Sequence, residues 1–174
     1  MSDRHIILVG FKHVGKTAIG RALADKQDIP FYELDAWVED LNHQRTGKKQ
    51  SCREIVASQG EAVFRALETQ ALEAILHAPE GVIDLGGGAP MTTENQKMIS
   101  GHHVVHISAP EEVVFARVSE KKWPQIFAGA KPSRALFQSL WQDRKVVYEH
   151  LAMVTIMNDD LIDTAVQKIM EHLK

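Results

Sequence analysis

The chain has 174 residues, of which 44% are hydrophobic and 25% charged, and its formal net charge is −3. This length and composition indicate one globular domain, and the charge argues against a general nucleic-acid-binding protein, which would need a basic face. No stretch is long and apolar enough for a membrane span. The first residues lack a signal-peptide pattern, and Cys52 has no second cysteine for a disulfide. We therefore expect a cytoplasmic monomer with no membrane or nucleic-acid partner.

The first predicted element is an apolar strand, residues 6–9, and it leads into Gly-Phe-Lys-His-Val-Gly-Lys-Thr at 10–17. These eight residues match G-x-x-x-x-G-K-[ST], the phosphate-binding loop that joins a strand to a helix in P-loop nucleotide enzymes. Main-chain N–H groups of such a loop bind phosphate oxygens at the helix N-terminus. We predict that Lys16 bridges the β- and γ-phosphates of ATP and that the Thr17 hydroxyl binds Mg²⁺. The predicted nucleotide-binding residues here are Gly10, His13, Val14, Gly15, Lys16, Thr17 and Ala18.

Further apolar runs alternate with helical patterns along the rest of the chain. The other predicted strands are residues 29–35, 81–85, 103–107 and 154–156. The apolar spacing predicts helices between them, the longest starting at Glu61 and at about Arg134. Ser-x-x-Glu patterns at Ser51 and Ser108 predict capping boxes at two helix N-termini. The alternation predicts an α/β fold with a parallel sheet covered on both faces.

The composition of two stretches, residues 42–50 and 121–133, predicts irregular structure. The first is polar and basic and contains Gly47, and the second is broken by Pro124, Gly129 and Pro132. Because phosphoryl transfer requires that water be excluded, we expect both stretches to close over the substrates as surface loops.

Candidate acceptor-binding acids lie at the end of the second predicted strand, where open α/β sheets bind ligands. Asp35 is suited to orient an acceptor hydroxyl or to take its proton. Glu33 shares a face with Asp35 on an extended chain and is placed to reach Mg²⁺ through a water. The alternative is that both are solvated acids at a strand end.

A glycine patch and two arginines complete the candidate acceptor site. Glycines let a ligand approach main-chain N–H groups, although a tight turn is the alternative explanation. Arg65 and Arg144 are suited to bind a carboxylate in a bidentate fork. Surface ion pairs of Arg65 with Glu61 and Glu68, at helical spacing, would explain that arginine equally well. Arg144, with Asp143 beside it, is equally explained as a solvated helix residue. The three glycines are Gly86, Gly87 and Gly88.

Several separated motifs resemble the shikimate kinase family, and together they cover nearly the whole chain. The matching segments are the nucleotide loop at 10–17, Gly-Arg-Ala-Leu-Ala at 20–24, Pro-Phe-Tyr-Glu-Leu-Asp at 30–35, Arg-Thr-Gly at 45–47, Ser51 to Ile55, Gly-Glu-Ala-Val-Phe-Arg-Ala-Leu-Glu at 60–68, Gly-Gly-Gly-Ala at 86–89 and residues 144–148. The resemblance implies an ATP-dependent kinase that phosphorylates a hydroxyl of shikimate with Mg²⁺.

The resemblance also implies a fold and a set of site residues. The fold is a single three-layer P-loop NTPase domain with a five-stranded parallel sheet, a substrate-binding helical insert at about 35–65 and a lid at about 121–134. Lys16 and Asp35 would act in catalysis, Thr17 and Glu33 would hold the metal, and Arg117 would lie near the adenine. The residues implied to bind the acceptor are Asp35, Arg65, Gly86, Gly87, Gly88 and Arg144.

The sequence departs from the family pattern at four places. Glu33 stands where the family has Asp, and residues 42–50 form a longer connection. Asp84 replaces a small residue, which would make it either an extra acid near the metal or a buried, hydrogen-bonded Asp. Trp123 occupies the position of a lid arginine that reaches the transferred phosphate. The cations suited to replace that arginine are Lys121, Lys122, Lys131 and Arg134.

These departures keep two other functions open. A kinase for a different small hydroxy acid would account for Glu33 and the longer connection. A nucleotide-binding protein with weakened or lost catalysis would account for Trp123, because a cation that stabilises transition-state charge contributes strongly to rate.

Overall fold

The computed structural model describes residues 4–120, 133–158 and 161–173. Five parallel strands form one sheet in the order β2-β3-β1-β4-β5. The strands are β1 Ile6–Val9, β2 Phe31–Glu33, β3 Val82–Asp84, β4 His103–Ser108 and β5 Val154–Met157. The α-helices are α1 Lys16–Gln27, α2 Leu34–Thr46, α3 Cys52–Gln59, α4 Glu61–Leu76, α5 Thr93–Ile99, α6 Glu111–Glu120, α7 Arg134–Leu151 and α8 Ile162–His172. A short 3-10 helix spans Ala89–Met91.

The middle of the sheet forms the core, as the apolar strand patterns predict. All four residues of β1 are buried, because the strand has neighbours on both sides and helices on both faces. The edge strand β5 behaves differently, since Ile156 is buried while Thr155 and Met157 are exposed. The predicted α/β architecture is confirmed, and it brings the carboxyl ends of β1, β2 and β3 to one edge, where the phosphate loop begins.

The helical insert is more ordered than the sequence predicts. The predicted irregular loop over 42–50 is wrong for its first half, because α2 continues to Thr46 and ends at Gly47, whose φ is 73°. Asn42 is fully buried, and it binds Gln50 at 3.2 Å and Gln59 at 2.8 Å. Polar residues that indicate a loop in the sequence therefore fasten α2 to α3.

Two local predictions at element boundaries are wrong, and one is confirmed. The second strand was predicted over 29–35, but β2 ends at Glu33 and α2 begins at Leu34. The capping box predicted from Ser108 does not form, since Ser108 is the last residue of β4 and α6 begins at Glu111. The capping box at Ser51 is confirmed, because its side chain accepts a hydrogen bond from the Glu54 N–H while the Glu54 carboxylate accepts one from the Ser51 N–H.

Most of the predicted lid, residues 121–132 with Trp123 and three candidate lysines, lies outside the described residues. Within the part of the chain that is described, Arg134 opens α7, pairs with Glu112 and lies over the Phe115 ring, 5.0 Å from its centroid. These contacts hold the arginine between α6 and α7. No helix in the described ranges is both long and apolar enough to cross a membrane.

Candidate active site

The phosphate loop joins β1 to α1 and holds its own lysine. Lys16 is 6% exposed, and its Nζ donates hydrogen bonds to the carbonyls of Gly10 and Phe11 at 3.0 and 3.1 Å. His13 has φ 67°, in the left-handed region that non-glycine residues seldom adopt, so the loop bends sharply at that position. The loop thus encloses the ammonium group that the sequence assigns to phosphate binding.

Asp84 connects the end of β3 to the start of α1. The Thr17 hydroxyl donates to its Oδ2 at 2.6 Å, the Gly86 N–H donates to its Oδ1 at 3.1 Å, and Lys16 Nζ lies 4.0 Å from the same Oδ1. Asp84 is 6% exposed, so these contacts compensate the cost of burying a carboxylate. The sequence left open whether Asp84 is a buried, hydrogen-bonded residue or an acid near the metal, and its contact with Thr17 is compatible with both.

A cavity of about 610 Å³ lies over the loop and brings most of the predicted residues together. Its lining includes both the loop lysine and Asp35, so the nucleotide and acceptor candidates share one space. Gly10, Val14, Arg65, Gly88 and Arg144 do not line it. The lining residues are Lys12, His13, Gly15, Lys16, Thr17, Ala18, Glu33, Asp35, Asp84, Gly86, Gly87 and Arg117.

Asp35 faces this cavity from the first turn of α2, where the helix N-terminus favours a carboxylate. The Asp35 side chain is exposed to the cavity, yet the surrounding elements partly desolvate it. This desolvation, followed by the charge of Asp84, raises the pKa of Asp35. The nearby cations Lys12 and Lys16 lower that pKa. Because α2 begins at Leu34, Asp35 and Glu33 do not share a face of an extended strand, and Glu33 instead pairs with Arg21 at 3.2 Å.

Arg65 reaches the glycine patch from α4 while two acids hold it. Its guanidinium pairs with Glu61 at 3.2 Å and with Glu68, which is 3% exposed. A Cβ on Gly88 would lie 2.6 Å from Arg65 Nη1, so the glycine makes room for the arginine. Burial raises the pKa of Glu68 to about 6, against the lowering effect of Arg65. The predicted ion pairs exist, and Arg65 also lies against the glycine patch.

Arg144 and Tyr148 meet the same patch from α7. A Cβ on Gly87 would lie 3.2 Å from Arg144 Nη1 and 3.5 Å from the Tyr148 hydroxyl, which donates to the Gly87 carbonyl at 2.6 Å. Arg144 is 6% exposed and lies over the Phe11 ring, 5.6 Å from its centroid. Within the described residues, its Nε is buried without a hydrogen-bond partner. A group of this kind is suited to a polar ligand.

Two residues from later parts of the chain, one in α6 and one after β5, hold the nucleotide loop. Arg117 in α6 donates from Nη1 to the His13 carbonyl at 3.1 Å. Asn158, which follows β5, donates from Nδ2 to the Val14 carbonyl at 2.8 Å and from its main-chain N–H to Ser108 O at 2.7 Å. Arg117 therefore lines the cavity and supports the loop as well.

A model of the shikimate kinase family matches residues 12–174. The chain belongs to the shikimate kinase family. A shikimate kinase from Mesorhizobium japonicum is 30% identical over 174 residues, which cover 99% of this chain and 82% of that protein. Shikimate kinases are phosphotransferases with an alcohol group as acceptor, and the chain is an enzyme of this class.

Solved structures of shikimate kinases share the fold. The enzyme from Bacteroides thetaiotaomicron superposes with a TM-score of 0.82 at 28% identity, and the match covers 98% of both chains. The enzyme from Acinetobacter baumannii, solved in complex with shikimate, gives a TM-score of 0.80 at 25% identity over 98% of this chain and 92% of that one. The resemblance to shikimate kinases and the predicted P-loop fold are thereby confirmed.

Sequence reasoning missed three supporting residues of this shikimate kinase-like site. Glu68 was treated as a surface partner, although its i+3 spacing from Arg65 in an apolar stretch signals a buried pair. Tyr148 belongs to a matched helix segment, but only the structure shows its hydroxyl on Gly87. Asn158 carries no sequence signal, because its partner lies 144 residues earlier.

Proposed function

We propose that this chain transfers the γ-phosphoryl group of ATP to a hydroxyl group of shikimate. The observation that carries the proposal is a single cavity lined by Lys16, Thr17 and Asp35. A phosphate loop alone indicates nucleotide binding, whereas an acid in the same cavity supplies a place for an acceptor hydroxyl. The shikimate complex of the Acinetobacter baumannii relative supports this choice of acceptor.

In the proposed reaction, Asp35 accepts a hydrogen bond from the acceptor hydroxyl, orients its oxygen toward the γ-phosphorus and takes its proton. The raised pKa of Asp35 suits this role, because a base with a higher pKa accepts a proton more readily. Lys16 and the loop N–H groups bind the phosphate oxygens, so catalysis rests on positioning and electrostatic stabilisation.

The acceptor carboxylate is proposed to bind Arg65 and Arg144. Both guanidinium groups lie against the glycine patch, one at Gly88 and the other at Gly87. Both positive charges act on the same carboxyl group, since Arg65 and Arg144 each lower the pKa of Glu68. Guanidinium groups bind carboxylates by paired hydrogen bonds, and the N–H groups of Gly87 and Gly88 are proposed to bind the acceptor hydroxyls. Gly86, whose N–H donates to Asp84, is proposed to contact the acceptor as part of the cavity wall.

Oxygen donors beside the loop fit Mg²⁺, which takes one or two carboxylates together with phosphates and waters. We propose that Thr17 and Glu33 hold it, with Asp84 as a further acid, because Asp84 lies 2.6 Å from the Thr17 hydroxyl. When bound, Mg²⁺ neutralises charge on the β- and γ-phosphates. Arg117 is proposed to lie near the adenine, at the end of the cavity where it holds His13.

The chain is further proposed to act as a single domain and as a monomer in the cytoplasm. The negative net charge and the lone cysteine support this view. Sedimentation velocity of the purified protein at two concentrations checks the monomer, and a species of twice the mass would contradict it.

The proposed function is tested by measuring ADP release with ATP, Mg²⁺ and shikimate, with controls that omit each component. We expect release that depends on all three and a product that carries the phosphate. ADP release with another small hydroxy acid but not with shikimate would show that the acceptor is that acid and not shikimate. ATP binding by calorimetry without any release would overturn the kinase proposal in favour of a nucleotide-binding protein.

A further inference from the structure

Lys12 is the third residue of the phosphate loop and precedes Lys16 by four positions. Its side chain is exposed, and it lines the same cavity as Asp35 and Lys16. A Cβ on Gly87 would lie 3.5 Å from the Lys12 main-chain nitrogen. Lys12 therefore stands where the nucleotide loop meets the glycine patch, between the two halves of the site.

The charge of Lys12 acts on the acceptor side of the cavity. Among the cations near Asp35, Lys12 lowers the pKa of that carboxyl more than Lys16 does. Electrostatic interactions weaken with distance and with solvation. Lys12 is exposed and lines the same cavity as Asp35, so its charge acts on the acid across this shared space.

The other cations around the loop have partners of their own. Lys16 donates to Gly10 and Phe11, and Arg117 donates to His13. Within residues 4–120, 133–158 and 161–173, no hydrogen bond or ion pair holds the Lys12 ammonium group. Its charge is therefore available to a ligand in the cavity.

We propose that Lys12 is a catalytic residue that contacts the phosphoryl group during its transfer, an inference that rests on the proposed function. The acceptor oxygen forms a bond to the γ-phosphorus, and the hydroxyl proton passes to Asp35. The bond from the γ-phosphorus to the bridging oxygen breaks, and that oxygen leaves with the electron pair on ADP. The Lys12 ammonium group donates an N–H to an equatorial phosphoryl oxygen, where negative charge is spread in the transition state.

The test compares Lys12→Met, which keeps the side-chain length and removes the charge, with Lys12→Arg, which keeps the charge. Lys26→Met is the matched control, because Lys26 is exposed in the last turn of α1, away from the loop. We expect Lys12→Met to lower kcat by about 100-fold with the ATP KM changed by less than about threefold. Lys12→Arg should recover at least about a tenth of wild-type kcat, and Lys26→Met should match the wild type.

The pH profile supplies a readout that a structural role would not change. Because Lys12 lowers the pKa of Asp35, removing its charge should move the acidic limb of the kcat profile to higher pH. Lys12→Met with a kcat within about threefold of wild type, or with an unmoved acidic limb, would overturn the proposal.

A binding experiment separates this inference from the choice of acceptor. Aluminium fluoride with ADP and Mg²⁺ mimics the phosphoryl group in transfer, and calorimetry measures its affinity without turnover. We expect Lys12→Met to weaken this complex at least about tenfold and ADP alone by less than about twofold. Equal weakening of both would contradict a contact with the transferred group, even if the wild type proves to use an acceptor other than shikimate.

Discussion

The phosphate-binding part of the cavity is built from one continuous segment, whereas the acceptor side is assembled from four. Residues 10–17 carry the phosphate loop, and its lysine binds two carbonyls of the same loop. The acceptor candidates come from α2, α4, the glycine patch and α7, and contacts between elements hold them, such as the Tyr148 hydroxyl on Gly87. Changes in the loop should therefore act mainly on chemistry, and changes opposite it should act on geometry and acceptor binding.

The largest expected effect is that of Lys16→Ala. We expect kcat to fall by about 1,000-fold or more, because the ammonium group stabilises the transferred charge. The free energy of unfolding should fall by about 1 kcal/mol, because the variant loses two hydrogen bonds and the ammonium group that lies 4.0 Å from Asp84. Steady-state kinetics and urea unfolding check both numbers. Turnover like that of the wild type would contradict the assignment of the loop.

Arg65→Ala should separate the two sides of the cavity. We expect the acceptor KM to rise about 100-fold while the ATP KM changes by less than about twofold, because the arginine lies at Gly88 and away from the loop. Lys145→Ala is the control, as this cation also takes part in a helical ion pair, with Glu149 at 3.8 Å, and does not line the cavity. Equal increases in both KM values would identify Arg65 as a structural ion-pair residue.

Lowering the pH should destabilise the fold through His106, which packs against Tyr148 on the acceptor side of the cavity. His106 is 3% exposed, its ring lies 5.3 Å from that of Tyr148, and burial lowers its pKa to about 4. Since the unfolded chain binds the proton at about pH 6.5, the stabilisation is complete above that pH and is lost as the pH falls toward 4.

We expect the free energy of unfolding to fall by about 2 kcal/mol between pH 7 and pH 5 from this residue alone. Urea unfolding at both pH values, with His106→Gln beside the wild type, measures the difference. Identical pH dependence in the two proteins would show that His106 does not carry the effect.

Tyr148→Phe should give the smallest change and the sharpest comparison. The substitution removes the 2.6 Å hydrogen bond to Gly87 and keeps the buried ring. We expect a loss of about 1 kcal/mol in unfolding free energy and an acceptor KM raised by about fivefold, with the ATP KM unchanged. A shift of the ATP KM by the same factor would mean that α7 supports both sides of the cavity alike.

The same contrast explains what the sequence could predict. A phosphate loop encodes its shape within eight residues, so strand, loop and helix follow from local pattern alone. Asp35 was expected at the end of a strand, and only the structure shows that a helix starts one residue before it. Chain-distant contacts decide such a boundary, because local propensity for strand or helix is weak.

Residues 42–46 illustrate the second reason for error. Their polar composition predicts a loop, yet Asn42 finds two amide partners on segments that come later in the chain. A buried polar residue is stable when its hydrogen bonds are satisfied, and no periodicity in the sequence announces those partners. The polar pattern of residues 42–46 therefore predicted a loop where α2 continues.

Asn158 places the completion of the site late in protein synthesis. Its amide binds the carbonyl of Val14 across 144 residues of chain. At a ribosomal rate of about 5–20 residues per second, that separation corresponds to roughly 7–30 s. The loop that leaves the ribosome first thus receives this hydrogen bond only after nearly all of the remaining chain has been translated.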